Sequence, residues 1–236
     1  MSYTKFLESV IDKQFKFDDS KYIMYTKEKQ ILEVESISDN AKYISMVDYE
    51  NMIFESARDV ISKFSKTSDN NNVYGIFLFI DIEGSCNGLT FCNLDYYKKR
   101  VMEVYPNLDK NDEYSIIGVK YNEGDSKFRY YGEDFNNEDL LEASNAYYAI
   151  SNEHPITNVT KDIVFDKNLF ESRLVTVGIN VVEKLKGYLG DIDTTEDFII
   201  AVSLHDIPNS TIMKLLEKSN PIELLKKKFI EFKDIG

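Results

Sequence analysis

The 236-residue chain carries 28 Lys and Arg against 41 Asp and Glu, a formal net charge of −13. Hydrophobic residues make up 43%, with 16 Tyr and 15 Phe among them, which supplies a core and excludes a wholly disordered chain. The acid excess argues against nucleic acid as a partner, because neutralising phosphate takes clustered Lys and Arg.

No apolar run reaches the ~18–20 residues of a membrane span. The opening MSYTKFLESVIDKQF lacks the apolar stretch of a signal peptide, which predicts a cytoplasmic protein without a membrane partner. Cys86 and Cys92 are then expected as reduced thiols. Together with His154 and His205 they are too scattered for a zinc set, so no metal and no cofactor are expected.

In chain order, Tyr3, Phe6, Leu7, Val10 and Ile11 recur on one face and predict a helix over residues 3–16, capped by Ser2. Residues 22–25 and 31–34 read as the strands of a hairpin, and Asp39-Asn40 as a loop. A second helix is expected from Asp48, as its cap, through Phe64, with Ile53, Ala57, Val60 and Ile61 at helical spacing. After the polar run 66–72, VYGIFLFIDI over residues 73–82 predicts a central strand buried on both faces. Gly84 and Gly88 flank a turn, residues 89–92 return as a strand, and Asn93 or Asp95 caps a helix through Val104.

Residues 114–121 and 127–131 read as strands or an irregular insertion. A helix is expected over 138–150, with Leu141, Tyr147, Tyr148 and Ala149 as its apolar contacts. The clearest helix spans 168–189, where Phe170, Leu174, Val177, Val181, Leu185 and Tyr188 step regularly behind Asp166 as cap. Residues 197–204 predict another buried strand, Pro208-Asn209 a turn, and Pro221 the start of a closing helix through Phe229. This order fits neither a doubly wound nor an all-β fold. It predicts an α+β (mixed α/β) protein with a mainly antiparallel central sheet packed with helices. Residues 1–47 read as a helix–hairpin extension on a domain of 48–236.

Motifs for nucleotide binding, zinc hydrolysis and serine hydrolysis are missing. Cys92 as a nucleophile needs a base, and neither His adjoins it in sequence. His205-Asp206 after the strand 197–204 could act as an oriented base or simply end the strand. The charge is the more unusual feature. Residues 101–160 hold twelve acids against four bases and contribute −8 of the −13. Tyr105, Tyr114, Tyr121, Tyr130, Tyr131, Tyr147 and Tyr148 thread the same stretch. Carboxylates steer a cationic partner and Tyr adds contact area with a polar tip.

Read as a series, ENMIFESARDVISKF, YGIFLFID, NLDYYKKRVMEV, FESRLVTVGINVVEKLKGYL, DFIIAVSLHD and the Asn220-Pro221 step into SNPIELLKKKFIEF resemble a family of uncharacterised bacterial domains of unknown function. The resemblance covers residues from about 50 to 232. Family members usually carry tryptophans in the middle section; this chain has none, and Tyr114 and Tyr130-Tyr131 stand about where they are expected. The resemblance implies a bacterial cytosolic α/β protein, sometimes encoded among polymorphic-toxin immunity genes. It brings no catalytic residue.

These readings predict an immunity-type protein that neutralises a cognate, basic toxin by occluding its surface. The expected contact residues are Asp109, Asp112, Glu113, Glu133, Asp134, Glu138 and Asp139, with Tyr130 and Tyr131 as anchors. Two other classes compete: a small cytosolic enzyme using Cys92 or His205-Asp206, and a self-associating structural protein.

Overall fold

Alternation along one strand organises the molecule. A computed structural model describes residues 3–12, 22–81, 87–154, 159–170 and 173–233. Strand β4 (Val73–Ile80) is almost wholly buried. Successive side chains of a strand point to opposite faces, so Ile76, Leu78 and Ile80 enter one apolar cluster while Phe77 enters another. The expectation of a central strand buried on both sides holds.

Strand β5 (Asn87–Asn93) returns antiparallel to β4, and β6 (Phe128–Tyr131) pairs antiparallel with β5. β8 (Thr194–Ser203) lies parallel on the other side of β4, which gives the order β6-β5-β4-β8. A second four-stranded sheet is built from the hairpin β1 (Tyr22–Tyr25) and β2 (Ile31–Val34) with β3 (Lys42–Ile44) and β7 (Ile163–Asp166). Its order is β2-β1-β7-β3, antiparallel except for β3 with β7. The fold is α+β, with two mixed, mainly antiparallel sheets where the sequence pointed to one.

The helices among the described residues are α1 (Tyr3–Ile11), α2 (Met46–Phe64), α3 (Leu94–Val104), α4 (Glu138–Ser151), α5 (Arg173–Leu185), α6 (Asn209–Ser219) and α7 (Ile222–Lys228). α2 begins two residues before Asp48. Ser45 is the cap, its hydroxyl accepting from the Asp48 N–H at 3.1 Å, and Asp48 accepts back from the Ser45 N–H at 2.9 Å. This reciprocal box satisfies two amides that a helix start otherwise leaves unpaired. α5 is shorter than its apolar stepping suggests: Phe170 sits in a 3-10 turn and Asp166 ends β7 instead of capping the helix. Pro208-Asn209 opens α6 rather than a simple turn. Asn93 does cap α3, accepting from the Tyr96 N–H at 2.8 Å. Ser2, Gly84 and Cys86 lie outside the described residues.

One continuous core joins both sheets through α2 and α5. It contains Leu7 of α1, Tyr25 and Phe165 of the second sheet, and Phe64 and Phe91, whose rings stack at 3.9 Å. Leu7, Val10 and Ile11 are buried, and Phe6 is partly buried against the same core. Glu50 of α2 is buried and ties that helix to α5 through the Lys184 Nζ at 2.6 Å and the Asn180 Nδ2 at 2.9 Å. On the far side of the β4 sheet, Tyr74, Phe77, Cys92, Ile199 and Ala201 meet Leu216, Leu225, Phe229 and Phe232 in a smaller cluster.

Candidate functional site

β6 forms one edge of its sheet, and its alternation sorts the residues around it. Tyr130 turns to the main core, its ring edge-on to Phe91 at 5.8 Å. Burial, then the nearby Asp69 and Asp134 carboxylates, raises its hydroxyl above the usual 10.0. Tyr131 turns to the other face and lies across Gly88, where a Cβ would come within 2.1 Å of the ring. Its hydroxyl meets the Thr90 Oγ1 at 3.0 Å, and its ring lies edge-on to Phe79 at 5.6 Å. Both expected anchors are thus half-buried, each with part of its ring left to solvent.

Gly132, at φ +56, reverses the chain after Tyr131 in the left-handed region that suits glycine. A 3-10 turn over residues 132–134 exposes Glu133 and Asp134. Asn137 then caps α4, accepting from the Leu140 N–H at 2.9 Å, and Glu138 and Asp139 occupy the first helical turn. Acids are stabilised there by the unpaired amides of the helix start. Asp139 accepts from the Lys42 Nζ at 2.5 Å, which holds its carboxyl below 3.8. Glu133, Asp134 and Glu138 have no ion-pair partner among the described residues.

The remaining acids are used differently. Asp109 is exposed and accepts from the Asn111 N–H at 2.8 Å. Both oxygens of Asp112 accept from the Val119 N–H, at 3.0 and 2.9 Å. Glu113 pairs at 3.0 Å with Lys120, whose ammonium is buried against the rings of Tyr74, Tyr97 and Tyr121. Lys228 enters the same ring cluster and pairs with Asp197 at 2.9 Å. Burial lowers the pKa of Lys228, and burial raises that of Tyr97 to about 12. The structure therefore brings Glu133, Asp134 and Glu138 together on one connection and turns Asp112 and Glu113 into chain-internal contacts.

Cys92 is buried and lies opposite Gly75, whereas Ser203, two residues before His205, lies opposite Phe79 at the other end of β4. Cys92 and His205 therefore do not form one site. His205 Nδ1 is 3.1 Å from Asp206 Oδ1, and both side chains are largely exposed.

Sequence reading missed a cavity of about 480 Å³ on the Phe77 face of the β4 sheet. Phe77, Phe79, Ile199 and Ala201 form its floor, Ile116 and Leu216 close over it, and Arg129 and Tyr131 stand on the β6 side. His205 and Asp206 lie at its rim. The only local signal was the alternation of Phe77 and Phe79 within an apolar strand. Among the described residues, no group of His, Cys, Asp and Glu is placed to hold a metal, and no helix is long and apolar enough to cross a membrane.

No family model matches the chain, and neither a curated protein nor a solved structure matches it.

Proposed function

We propose that this chain is an immunity-type binding protein that neutralises a cognate, basic toxin in the bacterial cytoplasm by covering its surface. The contact face is the corner formed by the end of β6, the 132–134 turn and the start of α4. The observation that carries this reading is the set of exposed carboxylates Glu133, Asp134 and Glu138, unpaired among the described residues and next to the half-buried Tyr131. Complementary charge raises encounter rates by roughly 10–10³, and that gain falls steeply with salt. Aromatic rings with one side already packed supply contact area at low entropic cost. A toxin that cleaves nucleic acid recognises phosphate, and an acidic corner competes for the same cationic groups.

The test starts with the partner captured by this chain from its native host and then purified. Its association rate is measured with the unaltered chain and with the triple variant Glu133→Lys, Asp134→Lys, Glu138→Lys, at low and high salt. Association should slow at least about tenfold at low salt in the variant, and the two chains should converge at high salt. Equal rates at low salt would remove this face from the interaction.

A second reading, a small cytosolic enzyme, is favoured by the His205–Asp206 pair at the cavity rim. The two readings part on the same variant, since reversing charge on the 132–138 connection leaves a reaction in the cavity intact.

A further inference from the structure

The cavity beside β6 has the size and chemistry of a small-molecule site. Such sites run to roughly 300–1,000 Å³ and pair a mostly apolar wall with a few oriented polar groups. Here the volume is about 480 Å³ and the floor is Phe77, Phe79, Ile199 and Ala201. Ile117 stands at the opening, 61% exposed, so apolar surface continues from the interior to the mouth.

Among the described lining residues, Arg129 is the Lys or Arg side chain. Arg129 lines the wall, across from Thr90 on β5 and two residues from Tyr131 on the same face of β6. It has no hydrogen-bond or ion-pair partner among the described residues, in a chain with 41 acids against 28 bases. Among the described lining residues the acid is Asp206, at the rim with its carboxylate largely exposed and His205 at 3.1 Å. A guanidinium offers a planar fork that matches one carboxylate with two parallel hydrogen bonds. A phosphate dianion calls for more donors or cations than this wall presents, under a protein field that is strongly negative.

We propose that this cavity binds an amphipathic monocarboxylate, with its apolar body over Phe77 and Phe79 and its carboxylate on Arg129. Arg129 sets the charge preference and the sheet face sets the shape. The cavity shares Tyr131 with the acidic corner but none of the carboxylates Glu133, Asp134 and Glu138, so Arg129→Gln and the triple charge reversal test the two apart.

The experiment is calorimetric titration of the full chain with decanoate, decanol, decylamine and decyl phosphate, each below the concentration at which it forms micelles. Decanoate should bind saturably at one site, more tightly than the other three. Arg129→Gln should weaken decanoate about tenfold, the loss of one charge-assisted contact, and leave decanol unchanged. Ala201→Phe should fill the floor and abolish binding. Because Ala201 is buried, Ile117→Asp serves as the second variant; its exposed position leaves the fold intact while placing a carboxylate at the mouth, and it should also weaken decanoate. No saturable decanoate binding below about 1 mM overturns the proposal. So does equal or tighter binding of decylamine, decanol or decyl phosphate, or an affinity that Arg129→Gln leaves unchanged.

Discussion

Replacing Asn220 by Ala should loosen the free edge of β8 and lower the melting temperature by about 4–12 °C. Asn220 ends α6, and its side chain behaves as a one-residue strand. Its Oδ1 accepts from the Ile200 N–H at 3.1 Å and its Nδ2 donates to the Ile200 carbonyl at 2.9 Å. The same Nδ2 also donates to the Leu216 carbonyl at 3.0 Å. Ile200 pairs with Ile76 in the parallel β4–β8 ladder, and β8 is the outermost strand on that side. Unpaired edges are templates for unwanted strand pairing, so this amide both satisfies and blunts one. Each hydrogen bond contributes about 1 kcal/mol net, and partial access of water to the freed groups offsets some of the three, leaving about 2–3 kcal/mol. For a chain of this size each kcal/mol shifts the midpoint by about 2–4 °C, which gives the range above. Asn220→Asp keeps the acceptor, removes both donations and sets a charge against two carbonyls. It should cost at least as much at neutral pH and recover in part in acid, where a protonated carboxyl donates again. Thermal unfolding followed by circular dichroism reads both variants. A midpoint for Asn220→Ala within about 1 °C of the unaltered chain would refute the edge-clamp reasoning.

Gly88→Ala should destabilise by about 1–3 kcal/mol, since the new methyl would stand 2.1 Å from the Tyr131 ring and 2.8 Å from the Tyr130 carbonyl; a chemical denaturation midpoint unchanged from the parent would show that Tyr131 does not lie across that glycine. Acid should unfold the protein progressively below about pH 4.5. The Lys42 hydrogen bond lowers the Asp139 carboxyl; burial pushes Glu142 and Asp197 up, but bonds from Thr160 to the first and from Lys228 and Thr195 to the second outweigh it and leave both lowered. Folded values below unfolded ones mean that these groups stabilise above the unfolded carboxylate range and lose that contribution as pH falls through it. Asp139→Asn with Glu142→Gln should flatten the acid limb of the melting profile, and a profile of unchanged slope would contradict these assignments.

Much of the fold was legible where the signal is local. The hairpin β1–β2, the buried β4 with its return strand β5, the Asn93 cap and α4 all announce themselves within a dozen residues. Strands β3 and β7 did not, for a physical reason. They have three and four residues, and they pair parallel with each other across more than a hundred positions, so no turn or alternation marks them. The apolar stepping before α5 was genuine, since Phe170 stacks on Tyr147 at 4.3 Å, but it does so from a 3-10 turn. Periodicity reports burial, and burial alone does not specify α-helix. The cavity was invisible because β4, β6, β8 and the 116–124 segment each supply only a few of its residues.

Counting charge also conflates two jobs that carboxylates do in the middle third of the chain. Residues 109–125 form only short 3-10 turns, so their amides have no ladder to satisfy them. Asp112 serves the Val119 N–H, Glu113 holds Lys120, and Glu231 from the C-terminal segment accepts from the Ser115 hydroxyl at 2.6 Å and the Ile116 N–H at 3.2 Å. These acids fasten an irregular segment over the sheet and thereby build the wall that carries Ile116 and Ile117. Their substitution acts on that wall before it acts on any partner. Glu133, Asp134 and Glu138, by contrast, have no construction role visible in their hydrogen bonding, and their carboxylates are exposed. All of these charges add to the long-range field of the protein. On the proposed reading, the second group is the one left for contact with a partner. Within one short strand, β6 therefore separates two chemistries: Arg129 on the cavity wall, and four residues later an anionic corner turned to solvent.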